Sequence, residues 1–197
     1  MRLSITIPIY SMLNDDFFLK RCLKSLGEQT FQDFELVITT DGKMAENTNS
    51  AIKRSTGDYI KILYMDDYLA HKNALQAIVD ALEGNPVQWL VTGCSHDPGG
   101  QKHLPTWNDE IQFGNNTIGS PSVLTIKNDN PLLFDENLNW LLDCDYYKRM
   151  YDKFGVPVFL PDINVVIGVG DHQATNLMSH ETKQKDYEQI HEKYSRS

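Results

Sequence analysis

The stretch "GDYIKILYMDDYLA", residues 57–70, decides the fold because an apolar run ends within it on two adjacent aspartates. Acidic pairs alone carry no information here. The chain has 27 acidic residues and four adjacent pairs of them, and random placement gives about four. The position of Asp66 and Asp67 is what matters. Tyr59 to Met65 is rich in β-branched and aromatic residues and predicts a buried strand, so both carboxylates fall at a strand end.

Strand–helix units surround this stretch. "LSITIPI" (residues 3–9) and "FELVITT" (residues 34–40) predict two earlier strands. Helical spacing of apolar residues follows the three strands in turn, at residues 15–27, 45–55 and 71–82. Such repeats predict a parallel sheet covered by helices, with ligands at the carboxyl ends of the strands. Asp41, Asp66 and Asp67 are therefore expected on one rim of the sheet.

The pattern changes after a fourth strand, "VQWLVTGC" (residues 87–94). Residues 95–119 are polar and predict a long loop or short irregular strands, and such a stretch in a compact domain is often functional. The later segments predict a strand at 121–127, a helix at 141–154, one or two strands within 156–169, and a polar surface helix from Ser179. The fold class predicted is α/β, with a mixed, mainly parallel sheet flanked by helices.

Composition excludes several classes of function. The net charge of −9 argues against nucleic-acid binding, since no basic stripe offsets it. No run of eighteen apolar residues is present, so no direct membrane insertion is expected. Cys22, Cys94 and Cys144 are widely spaced and predict reduced thiols in a cytoplasmic protein. An anionic small ligand would need a local cation, either a metal ion or basic side chains.

The carboxylates at the strand ends suggest two kinds of chemistry. Two ionised carboxylates about 4 Å apart repel by about 4 kcal/mol at an effective dielectric constant of 20. Mg²⁺ or Mn²⁺ would remove that repulsion and could hold a diphosphate. A solvated acidic turn is the other interpretation, because negative charge also stabilises the N-terminus of the helix predicted from His71. On the local pattern alone the turn is the simpler of the two.

Several well-known motifs are missing from the sequence. The first strand is followed by "PIYSMLND", which is neither G-x-G-x-x-G nor G-x-x-x-x-G-K-[ST], so a dinucleotide-dependent oxidoreductase and a P-loop kinase are disfavoured. No G-x-S-x-G element is found. The six histidines lack metal-ligand spacing.

Two segments together resemble a known family. "SLGEQTFQDFEL" (residues 25–36) and "GDYIKILYMDD" (residues 57–67) resemble the nucleotide-sugar half of family 2 glycosyltransferases with the GT-A fold. "GSPSV" (residues 119–123) and "FDENLNWLLDCDYYKRM" (residues 134–150) resemble the acceptor half of that family. The resemblance implies one GT-A-like catalytic domain over residues 1–178, with a nucleotide-sugar half at 1–94, an acceptor half at 95–178 and a polar helix or tail at 179–197.

The resemblance also implies roles for individual residues. Asp143 matches the general base of inverting members, and Asp41 matches the residue that accepts the N3–H of uracil or thymine. Asp66 matches a donor-binding aspartate and Asp67 a metal ligand. The further candidates are Pro8 and Tyr10 for the nucleobase, His172 for the metal, and Trp140 and Asp145 for the acceptor.

Four positions depart from the family pattern. Tyr64 stands where the first aspartate of the D-x-D-D element usually lies, which puts metal binding in question. Thr40 and Lys43 replace residues of the D-D-G-S element, and Ser11 replaces the asparagine that follows Tyr10. None of the four touches the predicted base.

The resemblance implies a glycosyltransferase that moves a sugar from a nucleoside-diphosphate donor, UDP or dTDP favoured, to a hydroxyl of a glycan or other acceptor. The expected reaction is an inverting displacement assisted by Mn²⁺ or Mg²⁺, in polysaccharide biosynthesis. The alternative is a non-catalytic module that binds a nucleotide sugar, which Tyr64 and Thr40 motivate. A nucleotidyltransferase would need a basic, glycine-rich loop after the first strand, whereas "YSMLNDD" is acidic.

Overall fold

The computed structural model describes residues 1–10, 15–84 and 87–195. Ser11 lies outside these residues. In the described part of the chain, one mixed sheet contains eight strands in the order β2-β1-β3-β7-β5-β8-β4, with β6 paired to β5. The strands are β1 (Leu3–Pro8), β2 (Phe34–Thr39), β3 (Tyr59–Ile62), β4 (Tyr68–Leu69), β5 (Trp89–Asp97), β6 (Lys102–His103), β7 (Leu124–Lys127) and β8 (Val158–Gly168).

Helices flank this sheet. They are α1 (Asp15–Gly27), α2 (Met44–Arg54), α3 (Ala74–Gly84), α4 (Leu142–Phe154), α5 (Ala174–Leu177) and α6 (His180–Ser195). The predicted α/β class, with a sheet covered by helices, is confirmed. Among the described residues no helix has the length and apolarity needed to cross a membrane.

The register of the first strands fixes the functional edge. Pro8 lies opposite Thr39 in the parallel β1–β2 pair, and Thr6 lies opposite Ile62 in the parallel β1–β3 pair. The chain therefore leaves β1, β2 and β3 at the same edge, as expected for carboxyl ends of parallel strands. The third strand is shorter than predicted. The Leu63 amide still donates to the Thr6 carbonyl at 3.0 Å, but the chain then turns, and the Asp67 amide donates to the Tyr64 carbonyl at 3.0 Å.

The second half of the chain completes the sheet. β7 enters antiparallel between β3 and β5, and β8 runs parallel to β5. This arrangement brings Gly168, at the end of β8, beside the turn that follows β3, where the Gly168 amide donates to Asp67. Residues from the two halves of the sequence thus meet at one edge.

Two segments are defined more closely than the prediction gave them. The region predicted as a long loop or short irregular strands contains the end of β5, to Asp97, and the short strand β6, because Cys94 and Ser95 pair with His103 and Lys102. The tail predicted at the surface is the helix α6, which buries Asp186 and Ile190 completely. It is attached to the body of the protein and is not merely a solvated extension.

Candidate active site

A cleft of about 370 Å³ opens at the edge where the strands end. Residues from both halves of the sequence line it, including Tyr10, Met44, Tyr64, Asp66, Asp67, Cys94, His96, His103, Asn116, Ser120, Asn139, Trp140, Asp143, Gly168, Gln173 and Met178. Asp66 and Asp67 come from the turn after β3, whereas Asp143 comes from the first turn of α4. Three carboxylates predicted from distant parts of the sequence therefore share one cleft.

Asp67 is held rigidly. Its Oδ1 accepts the Gly168 amide at 2.9 Å, and its Oδ2 accepts the Ser120 hydroxyl at 3.3 Å. The side chain is 2% exposed. Burial raises the pKa of Asp67 above its usual range, and the charge of Asp66 adds to the rise.

Asp66 is freer to take an added ligand. Its Oδ2 lies 3.5 Å from Nε2 of His172, which is too long for a strong hydrogen bond. Burial raises the pKa of the Asp66 carboxyl, while His172 and Arg21 act against the rise. Asp66 lines the cleft and His172 lies behind it, against the ring of Phe18 at a centroid distance of 4.3 Å.

Arg21 and Gly168 fix the turn that carries these aspartates. The Arg21 guanidinium donates to the Asp66 carbonyl and to the Asp97 carboxylate, both at 2.7 Å. A Cβ at position 168 would approach the Asp66 carbonyl oxygen to 2.4 Å, so only glycine fits there. Sequence reasoning missed both residues, since their contacts depend on pairing between distant strands.

Asp143 has the environment of a base. Its Oδ1 accepts the Cys144 amide at 2.8 Å, and its Oδ2 accepts the Asn116 side-chain amide at 2.9 Å. Burial raises the pKa of Asp143 to about 6, although these hydrogen bonds oppose the rise. A carboxylate with that pKa is ionised at neutral pH and is a stronger base than an exposed aspartate.

Asn116 was not predicted, and it orients the Asp143 carboxylate. Its side-chain oxygen accepts the amides of Ile118 and Gly119 at 3.0 and 2.8 Å. Those two bonds assign the oxygen end of the amide, so the NH₂ group faces Asp143. The polar 95–119 segment was the only sequence signal that could have pointed to it.

Three aromatic residues form much of the remaining wall. Tyr10 and Tyr64 line the cleft, and burial raises the pKa of both phenols, so both stay protonated. The Tyr64 hydroxyl lies 3.4 Å from that of Thr48. Trp140 also lines the cleft, and its ring lies 5.5 Å from Nζ of Lys183.

Four predicted site residues lie outside the cleft lining: His172, described above, and Pro8, Asp41 and Asp145. Pro8 is buried at the end of β1. Asp41 sits at the rim, where its Oδ2 contacts Arg54 at 2.7 Å and the Ser50 hydroxyl at 2.5 Å. Asp145 is fully buried. Asp145, predicted to contact the acceptor, faces away from the cleft: its carboxylate binds Arg149 at 2.7 Å and Lys193 at 2.8 Å.

The aspartate pair could hold a divalent cation only together with oxygen atoms of the substrate. Within residues 1–10, 15–84 and 87–195, no three His, Cys, Asp or Glu side chains are grouped to hold a metal ion. Mg²⁺, however, is commonly held by one or two carboxylates together with phosphate oxygens of the substrate. Two buried carboxylates with raised pKa values suit that arrangement. The Nε2 atom of His172 is buried and makes no hydrogen bond, and it lies 3.5 Å from Oδ2 of Asp66. The residues present fit a cation that arrives with a diphosphate.

Comparison with known proteins identifies the architecture. No family model matches the chain, and no curated protein matches it. Solved structures do. TarS from S. aureus in complex with UDP-GlcNAc is 18% identical with a TM-score of 0.74, over 96% of this chain and 64% of that one. The mannosyltransferase PcManGT from Pyrobaculum calidifontis, in complex with GDP-Man and Mn²⁺, is 15% identical with a TM-score of 0.68, over 100% of this chain and 64% of that one. The chain has the GT-A fold.

This likeness is one of fold. At 18% and 15% identity the match does not carry over an activity. The chain also covers only 64% of the TarS 1–349 chain and 64% of the PcManGT chain. Evidence for an activity of this chain comes from the residues of its own cleft.

Proposed function

We propose that the chain is a glycosyltransferase that moves a sugar from a nucleoside-diphosphate donor to an acceptor hydroxyl with inversion at the anomeric carbon. One observation carries the proposal: a half-buried carboxylate with a pKa of about 6, Asp143, shares a cleft with the Asp66–Asp67 pair. Asp143 suits a general base, and the Asp66–Asp67 pair suits a cation bound to a diphosphate. Bound nucleotide sugars in two proteins of the same fold support the choice of donor.

In this mechanism Asp143 removes the proton of the acceptor hydroxyl as the oxygen attacks the sugar C1. The bond from C1 to the nucleoside diphosphate breaks, and its electron pair leaves with the diphosphate. Asn116 keeps the Asp143 carboxylate turned into the cleft through its 2.9 Å hydrogen bond. A positioned base contributes about 10²–10⁴-fold to the rate.

A divalent cation bound by Asp66 would neutralise charge on the leaving diphosphate. Asp67 would supply the fixed geometry, since its two oxygens already accept the Gly168 amide and the Ser120 hydroxyl. The sequence-based expectation was that Asp67 and His172 form the metal pair. Nε2 of His172 lies 3.5 Å from Oδ2 of Asp66, so we propose Asp66 as the metal ligand instead.

The nucleobase end of the donor is proposed near Tyr10 and Asp41. Tyr10 lines the cleft close to the end of β1. Asp41 follows β2 at the same edge, and its Oδ1 can accept the N3–H of uracil or thymine while Oδ2 stays with Arg54. UDP or dTDP is the donor nucleotide we propose, as the family resemblance of Asp41 also implies.

A non-catalytic nucleotide-sugar-binding module is the second candidate. Tyr64 favours it, because a protonated phenol lines the cleft where the family pattern has a third carboxylate. Such a protein would bind nucleotide but transfer no sugar. Asp143 would then be an N-terminal helix residue stabilised by the α4 dipole.

Calorimetric titration tests the donor site directly. The purified chain is titrated with UDP, dTDP, GDP and CMP, each with and without Mn²⁺, and the Asp66→Ala and Asp67→Ala variants serve as site variants. Asp152→Ala, an exposed aspartate at the far end of α4, serves as the matched control. Metal-dependent binding of UDP or dTDP that is lost in the site variants supports the donor site.

Turnover decides between the two candidates. Sugar transfer from a bound donor that falls at least 100-fold in Asp143→Asn, with nucleotide affinity unchanged, supports the enzyme. Binding without transfer to any acceptor or to water favours the binding module. No nucleotide binding at millimolar concentration by the folded protein would refute both.

A further inference from the structure

We propose that Asp186, on α6, is a positioning residue that holds the acceptor side of the cleft and the base Asp143 in place; this inference rests on the proposed function. Asp186 is fully buried. It lies 43 positions after Asp143 in the sequence and does not line the cleft, so no motif points to it. Its role follows from what its carboxylate touches.

One oxygen of Asp186 gathers three consecutive backbone amides. Oδ2 accepts the amides of Asn139 at 2.8 Å, Trp140 at 2.5 Å and Leu141 at 3.1 Å. Leu141 is the N-cap of α4. The carboxylate therefore satisfies donors at a helix start that would otherwise be unpaired, and its charge is favourable at the positive end of the helix dipole.

These amides belong to residues next to the proposed chemistry. Asn139 and Trp140 line the cleft, as do Leu142 and Asp143. Asp143 follows the last bonded amide by two residues. The backbone that carries both the acceptor wall and Asp143 is therefore hydrogen-bonded to α6 through the Asp186 carboxylate.

A second attachment lies on the other side of Asp143. Lys193 of α6 contacts Asp145 at 2.8 Å and Asp135 at 3.2 Å, and the Tyr194 hydroxyl donates to Asp145 at 2.8 Å. α6 thus holds the chain before and after the base. No corresponding bond joins α6 to Asp66 or Asp67 among the described residues, so loss of Asp186 should disturb the acceptor side and leave the donor side intact.

Two variants give a graded test. Asp186→Leu removes all three hydrogen bonds. Asp186→Asn keeps a side-chain oxygen in the Oδ2 position and puts its NH₂ group where Oδ1 makes no hydrogen bond, so the shape survives while the charge is lost. Glu188→Gln is the matched control, since Glu188 is an exposed carboxylate on the same helix that bonds Gln184.

Amide hydrogen exchange measures the anchor, that is, the three hydrogen bonds from the amides of residues 139–141 to Asp186, without any assay of activity. Exchange at Asn139, Trp140 and Leu141 should accelerate at least tenfold in Asp186→Leu and by less in Asp186→Asn, relative to core amides of β1 measured in the same sample. Glu188→Gln should match the unaltered chain. Unchanged protection at these three amides in Asp186→Leu would overturn the anchor.

Steady-state kinetics measure the effect of the Asp186 anchor on turnover. With turnover expressed per nucleotide-binding molecule, kcat should fall at least tenfold in Asp186→Leu and less in Asp186→Asn, because a displacement of about 1 Å can cost about 100-fold. The donor KM and the nucleotide Kd should stay within twofold. A merely structural role would lower the binding-competent fraction and leave kcat per competent molecule unchanged, which would overturn the proposal.

Failure of the proposed function gives a different result. If the unaltered chain transfers no sugar while the three amides lose protection in Asp186→Leu, the glycosyltransferase assignment fails and the anchor stands. If transfer occurs and the Asp186 variants turn over normally despite lost protection, the assignment stands and the positioning role fails.

Discussion

The substitution Asp143→Asn should stabilise the protein at neutral pH while it removes activity. Burial raises the pKa of Asp143 to about 6, whereas an aspartate in the unfolded chain has a pKa of about 3.9. The folded protein therefore holds this proton more tightly than the unfolded chain does. As pH rises from about 4 to about 6, wild-type stability falls by the cost of ionising the buried group.

The magnitude follows from that difference in pKa. It corresponds to at most about 3 kcal/mol at 1.36 kcal/mol per pH unit. The Asp143 side chain is partly exposed, so solvent screening reduces the cost, and an asparagine loses part of the bond to Asn116. We expect Asp143→Asn to be more stable than wild type by about 1–2 kcal/mol at pH 7.5, with no gain at pH 4.

Asp145→Asn is the matched control, two residues along the same helix. Asp145 is fully buried and its carboxylate is bonded to the partly exposed Arg149 and Lys193, so removing its charge weakens two charged hydrogen bonds and should cost about 2 kcal/mol. The two substitutions should therefore have opposite signs at pH 7.5. Urea unfolding of wild type and both variants from pH 4 to 8 measures this. An Asp143→Asn effect that does not change with pH, or that is destabilising at pH 7.5, would refute the reasoning.

Further predictions concern the base, the buried lysine, the nucleobase and the acceptor. The acceptor kcat/KM should rise with pH and level off above a midpoint near 6, the pKa of Asp143, and a flat profile from pH 5 to 8 would count against that base. Burial lowers the pKa of Lys61 to about 7, so the unfolded chain holds this proton more tightly than the folded protein does. The unfolding free energy of wild type, compared with that of Lys61→Met, should therefore rise between pH 7 and 10 by up to about 4 kcal/mol. Urea titrations of both proteins at the two pH values measure this. Asp41→Ala should reduce the preference for UDP over GDP about tenfold by calorimetry, as expected for a lost charged hydrogen bond, whereas Arg54→Met, which keeps the carboxylate, should not. Trp140→Ala should raise the acceptor KM about tenfold with unchanged nucleotide affinity, while Trp140→Phe should raise it less; equal effects on donor and acceptor would exclude a stacking role.

The sequence was sufficient for the edge of the sheet at which the site lies. Alternation in residues 3–9 and 34–40 located β1 and β2, and an apolar run ending at Asp66 located the turn after β3. Periodicity could not show that Asp143 joins that turn. The meeting requires β7 to insert antiparallel beside β3 and β8 to run parallel to β5, and only the family resemblance pointed to it.

The residues that support the site were harder to find. Arg21 and Asp186 lie on helices whose polar positions look like solvated faces. For α6 a signal was present: Asp186 and Ile190 are spaced i, i+4 and both are buried, so the helix presents a charge on its inner face. A charge on a buried face requires partners, and these are backbone amides of residues 139–141, which no side-chain pattern records.

The charges of the cleft explain why a donor diphosphate would require a cation. Asp66, Asp67 and Asp143 all line the cleft, and burial raises the pKa of each. Two basic side chains near this turn already have partners: the partly exposed Arg21 binds Asp97 and the Asp66 carbonyl, and the buried Lys61 donates to the carbonyls of Ile62, Ser122 and Leu124. A diphosphate in the cleft would add negative charge to carboxylates that already resist ionisation. Binding that depends on Mn²⁺ follows from this arrangement, and nucleotide binding that is equally tight without the metal would show that a basic side chain moves in to replace it.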